Sequence, residues 1–164
     1  MGGGRCGYVQ SMRGGLATGL RASLAVSTSI LALGGCSVPS EPSPEDWRSA
    51  ARQSLEDSAS EVETVALVLR LDADGQLLAA SARVAATESE ESLATAVDSI
   101  STQQPPGSLQ QQDADLSDLL GRATDLVRAA RVAITAGDEA AYADLRGRLL
   151  ELSDDLDAER EELR

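Results

Sequence analysis

The sequence predicts an all-α protein, an antiparallel bundle of about four helices behind a cleavable leader and a short tether. Three observations carry that expectation. Apolar residues recur at steps of three and four along four stretches, residues 44–71, 76–103, 109–136 and 139–163. Asp74-Gly75, Pro105-Pro106-Gly107 and Gly137 fall between those stretches, where turns belong. The stretches are nearly equal, roughly 40 Å each at 1.5 Å per residue, and their short connections favour up-and-down neighbours. The expected organisation is therefore a leader over 1–35, a Pro/Ser-rich tether over 36–43 and an acidic bundle over 44–164.

The leader comes first in the chain. Residues 1–35 hold three arginines and no acid, whereas all 27 acids lie beyond Cys36. Arg13 and Arg21 precede an apolar run over 22–33 that is interrupted only by Ser and Thr. Twelve residues are too few to cross a hydrocarbon core, which takes about 20 helical residues, so the run reads as the apolar region of a signal peptide. It ends in Leu33, the small Gly34 and Gly35, and then Cys36. These four residues resemble the lipobox of bacterial lipoprotein precursors, with Gly34 where Ala or Ser is more usual. The resemblance covers residues 1–36 only. It implies that the Cys36 thiol takes a diacylglyceryl group and that a peptidase cuts between Gly35 and Cys36. The new amino terminus would then be a further acylation site, palmitate among its chains. The expected location is the extracytoplasmic face of the cell membrane, with membrane lipid held through Cys36. Cleavage by an ordinary signal peptidase after Ala32-Leu33-Gly34 is the alternative, and would release a soluble protein. A start at Met12 would leave a compact leader over 12–35; on either start, Cys6 and Tyr8 are absent from the processed chain.

Beyond Cys36 there are eleven arginines, no lysine and 27 acids, a side-chain charge of −16. Nucleic acid is not expected as a partner, because phosphate binding draws its affinity from Lys and Arg. Repulsion from an anionic bilayer is screened beyond about 8 Å at physiological salt, so a tethered domain can stay near the surface. Cys36 is the last cysteine, so no disulfide is expected, and packing alone must hold the domain.

Pro39, Pro42 and Pro44 stiffen the tether, which at about 3.1 Å per residue could reach roughly 20–25 Å. Ser43 is placed to cap the first helix, with Pro44 in its first turn and Glu45 and Asp46 beside the positive dipole end. Trp47, Ala51, Leu55, Ser58, Val62, Val65 and Leu69 form its stripe, and Asp72-Ala73-Asp74-Gly75 ends it as a turn. The second helix is expected to bury Leu78, Ala82, Ala85, Leu93, Val97 and Ile100. Two alternatives stand beside it. Thr87-Glu88-Ser89-Glu90 could be a capping box that divides it, and Val65 to Leu71 with Gln76 to Val84 could form a β-hairpin around Asp74-Gly75.

Pro105-Pro106-Gly107 breaks the chain again, and Ser108-Leu109-Gln110-Gln111 fits a capping box. The third stripe is Leu116, Leu119, Ala123, Leu126, Val127, Ala130 and Ile134, closed by Gly137. Asp138 is expected to cap the last helix, whose seam is Tyr142, Leu145, Leu149, Leu152, Leu156 and Leu163, with a gap at Glu159. Asp144 and Arg148 are spaced for a surface pair. That seam is regular enough for a coiled coil, so a homodimer through the last helix is an alternative to packing within the chain.

Chemistry is sparse. The sequence has no His, and no Met or further Cys follows Cys36, which excludes His- or Cys-ligated metals, haem and nucleophile–histidine catalysis. Asp72-Ala73-Asp74-Gly75 fails as an EF-hand, since Arg70 and Ser81 would fall on the first and last ligand positions. Glu151, Asp154, Asp155 and Asp157 could hold a divalent cation, or supply an acid–base pair for hydrolysis. Their position outside a leucine stripe is instead that of a solvated helix face. The expectation is a non-enzymatic binding or scaffolding domain of the cell envelope with no cofactor, no resident metal and an unspecified envelope protein as partner. A carboxylate cation site is the alternative, and a carboxylate hydrolase the more remote one.

Overall fold

The computed structural model describes residues 43–164. The expected leader, the lipobox at Leu33, Gly34, Gly35 and Cys36, and the tether up to residue 42 lie outside the described residues. Within them the chain forms four α-helices, α1 (Pro44–Ala73), α2 (Ala79–Ser101), α3 (Gln110–Ala136) and α4 (Tyr142–Glu162), with no strand among the described residues. The all-α expectation holds, and the β-hairpin alternative fails because Val65 to Leu71 is helical.

The start of α1 follows its local chemistry. Ser43 has extended backbone and its Oγ accepts the Asp46 N–H at 3.4 Å, with Pro44 in the first turn. The helix runs two residues past the expected end and closes on Gly75 at φ +66°. There the Gln76 N–H reaches the Leu71 carbonyl at 2.8 Å and the Gly75 N–H the Asp72 carbonyl at 3.0 Å. This is a Schellman closure, which needs a left-handed residue at that place. The end of α3 repeats it, with Gly137 at φ +67° and the Asp138 N–H on the Ala133 carbonyl at 3.0 Å.

Expectation and structure diverge most in α2. The helix begins at Ala79 rather than near residue 76, because Leu78 is its extended N-cap residue and offers only its carbonyl, to the Ala82 N–H at 2.9 Å. Leu78 is consequently 77% exposed instead of buried, and its neighbour Leu77 packs against the core. The seam is Ala82, Ala86, Ser89, Leu93, Ala96 and Ile100, whereas Ala85 and Val97 are only partly buried. No break occurs at Thr87: its hydroxyl donates to the Arg83 carbonyl at 2.9 Å, a bond within a continuing helix.

Two expected caps are also absent. A 3-10 turn over Gly107–Leu109 precedes α3 and buries Leu109, so the Ser108 capping box does not form and no side chain caps α3. A second 3-10 turn, Glu139–Ala141, stands before α4, and Asp138 contributes its carbonyl to the Ala141 N–H at 3.1 Å rather than a side-chain cap. At Asp138 the turn satisfies the Ala141 donor that the side chain was expected to take, whereas before α3 it engages the Leu109 N–H with the Pro106 carbonyl at 2.8 Å.

Each helix packs on its neighbour in sequence, α4 closes on α1, and α1 also reaches α3 across the centre. Three bonds fix α1 and α4 as antiparallel. Arg52 donates to the Leu163 carbonyl at 3.0 Å, Ser153 Oγ to Glu63 at 3.0 Å, and Tyr142 O–H to Asp72 at 2.8 Å, so early α1 meets late α4 and the reverse. The first, third and fourth expected stripes are buried throughout, Trp47 and Tyr142 included. The α4 leucine seam therefore lies inside this bundle, and a second copy could not use Leu145, Leu149, Leu152 and Leu156 while it stays folded.

Candidate functional site

The acylation candidate, Cys36 with Leu33, Gly34 and Gly35, is outside the described residues. What the structure supplies is the point at which the fold starts. Ser43 caps α1 and Trp47, four residues on, is already buried at 1% exposure, so seven residues, 37–43, separate Cys36 from the first helix.

The four carboxylates of α4 are not gathered into a site. Asp155 pairs with Arg122 of α3 at 3.3 Å and Asp157 with Arg160 at 2.9 Å, while Glu151 and Asp154 are exposed. No group of three or more His, Cys, Asp or Glu side chains is arranged to hold a metal ion among the described residues. Asp72, from the turn that fails as an EF-hand, accepts the hydroxyl of Tyr142. Burial, chiefly, and the Asp72 carboxylate push the Tyr142 phenol up from 10.0 to about 12. The expected Asp144–Arg148 surface pair forms at 3.7 Å.

Sequence reasoning passed over several features that depend on helices meeting. Glu90 of α2 sits between Arg128 and Arg131 of α3, accepting from both guanidinium groups. Near the start of α3, Asp115 and Asp118 share an open groove with Glu159 and Glu162 of α4. Partial burial, then Glu162 and Asp115, raise the Glu159 pKa above the ordinary carboxylate value. On the opposite side of α4, where it packs on α1, Leu67, Arg70, Arg146 and Leu150 border a second open groove of about 380 Å3. The signal for these was faint, because each joins residues that stand far apart in the sequence.

The interior offers little room for a ligand, since the seams of all four helices are packed against one another. Trp47 Nε1, Ser58 Oγ and Arg160 Nε are buried and lack a hydrogen-bond partner among the described residues. No described helix is long and apolar enough to cross a membrane. No protein-family model, curated protein or solved structure matches this chain.

Proposed function

We propose that this chain is a lipid-anchored protein on the extracytoplasmic face of a cell membrane, whose helical domain binds or scaffolds an envelope protein without catalysing a reaction. The observation that carries the reading is Leu33-Gly34-Gly35-Cys36 at the end of an acid-free apolar leader. The start of α1 at Pro44 fits it, because seven residues, 37–43, then lie in the sequence between the acylation candidate and the first helix. Two or three acyl chains would make the anchor durable, each buried methylene contributing about 0.8 kcal/mol. The binding role rests on the packed interior and the open surface grooves, which suit contact with another macromolecule better than enclosure of a small substrate.

The test is detergent-phase partition combined with labelling by an alkyne analogue of palmitate. Wild type should enter the detergent phase and carry label, and Cys36→Ala should do neither. Equal partition and equal labelling of the two proteins would overturn the anchor.

A further inference from the structure

The groove between the second half of α1 and the first half of α4 differs from the other open grooves in charge, and it brings two exposed leucines beside two arginines. Leu67 and Leu150 border it, exposed by 45% and 40%, with Ala66 at its floor. Arg70 and Arg146 flank them, and neither makes an ion pair among the described residues. The acid of the groove, Glu63, is engaged by the Ser153 hydroxyl at 3.0 Å. The groove thus presents two guanidinium groups with no ion pair among the described residues against one hydrogen-bonded carboxylate, in a chain whose acids outnumber its basic residues 27 to 14.

Other grooves show the contrast. Between α3 and α4, Arg122 and Arg148 are both neutralised, by Asp155 and Asp144. Toward the start of α3, five acids surround one arginine, and between α1 and α2 the charged residues are Asp57 and Glu61. Exposed leucines beside unpaired arginines are what an amphipathic acidic segment would complement, its leucines covering Leu67 and Leu150 and its carboxylates meeting the two guanidinium groups. The same charges disfavour symmetric pairing of this face with its own copy, which would bring guanidinium groups toward one another.

We infer that the α1–α4 groove is the docking surface of the domain and that its occupant is an acidic, leucine-bearing helical segment of another protein. The inference rests on the binding role proposed above and names its partner by chemistry. Arg70 lies 27 residues beyond Ser43 along α1, about 40 Å at 1.5 Å per residue, so the groove reaches the end of α1 remote from its Ser43 cap.

The test uses the detergent-solubilised full chain and three fluorescein-labelled synthetic helices of equal length. One carries leucines at i, i+3, i+4 and i+7 flanked by glutamates, the second has lysines for the glutamates, and the third has alanines for the leucines. Anisotropy should show binding of the first helix alone. Arg70→Glu with Arg146→Glu should weaken that binding by at least about tenfold, and Leu67→Ser with Leu150→Ser by a comparable factor. Arg83→Glu, an exposed arginine on α2, should leave it within about twofold. Far-UV circular dichroism and Trp47 emission, unchanged in every variant, would confirm that the fold is kept. Absence of binding to the first helix, equal binding of the lysine helix, or indifference to the Arg70/Arg146 reversal would overturn the inference. Self-association of wild type that the same reversal abolishes would give the groove to a second copy and also overturn it. Because binding is read in detergent, a negative result bears on the groove, whereas loss of phase partition bears on the anchor.

Discussion

The α1–α4 pair and α2 are built from the same helical rules but stabilised differently. Eleven residues of α1 are buried, among them Trp47, Leu55, Val62, Val65 and Leu69, because this helix meets α2, α4 and α3. In α2 six are buried, and four of those are Ala or Ser. Three side-chain bonds tie α1 to α4 at both ends and the middle. Between α1 and α2 the interior bond is Ser54 Oγ to the Ala96 carbonyl at 2.8 Å. Large side chains stabilise through area removed from water, whereas a small-residue seam gains mainly by letting backbones approach. The α1–α4 pair should therefore be the hard half of the domain, and α2 the element that opens first.

The sharpest way to break that comparison is truncation at matched, fully buried leucines. Leu149→Ala in α4 should cost about 3–5 kcal/mol, against about 2–3 kcal/mol for Leu93→Ala in α2, read by urea unfolding followed through Trp47 emission. Equal losses would show that the two halves share one cooperative core.

A smaller effect is expected at the far end of the α1–α4 contact, where Tyr142→Phe removes the bond to Asp72 and should cost about 1 kcal/mol. It also has a pH signature. The phenol is held neutral in the fold, its pKa raised from 10.0 to about 12, so the unfolded chain loses this proton first. Its contribution is whole below about pH 10 and disappears as pH climbs to about 12. Wild type should lose more stability than Tyr142→Phe across that window, and parallel curves would remove Tyr142 as the cause.

Gly137→Ala tests the turn that hands α3 to α4. A Cβ would meet nothing there within 4 Å, but φ is +67°, so the expected cost of about 1 kcal/mol is purely conformational. A neutral substitution would mean that the turn relaxes.

The smallest predicted change is a gain. Ser58 lies in the α1 core with no partner for its hydroxyl among the described residues, and Ser58→Ala should raise the melting midpoint by the equivalent of up to about 1 kcal/mol. A lower midpoint would show that the hydroxyl contributes to packing on the α1 side.

Much of the fold was legible because helix phase and helix ends depend on residues within about four positions. The stripes of α1, α3 and α4, the Ser43 cap and the glycine closures at 75 and 137 are of that kind. The α2 phase was not, since Leu77 and Leu78 are equally apolar and only the geometry leaving Gly75 decides which one faces inward. Capping at Ser108 and Asp138 failed for a related reason: a 3-10 turn takes the place before each helix, and Leu109 is buried in the first of them. Leu33-Gly34-Gly35-Cys36 is likewise a short local string, and it lies outside the described residues. The groove was not legible, because Leu67 and Arg70 stand some eighty residues from Arg146 and Leu150.

By itself the sequence determined an acidic four-helix chain, its breaks and three of its four buried stripes, since periodicity and turn chemistry are written into neighbouring residues. Tertiary structure alone decided that Asp72 holds Tyr142, that Glu90 lies between two arginines, and that Arg70 and Arg146 stand beside exposed leucines with no ion pair among the described residues. Those outcomes depend on which helix faces meet and in what register, and that is settled by packing the whole core at once.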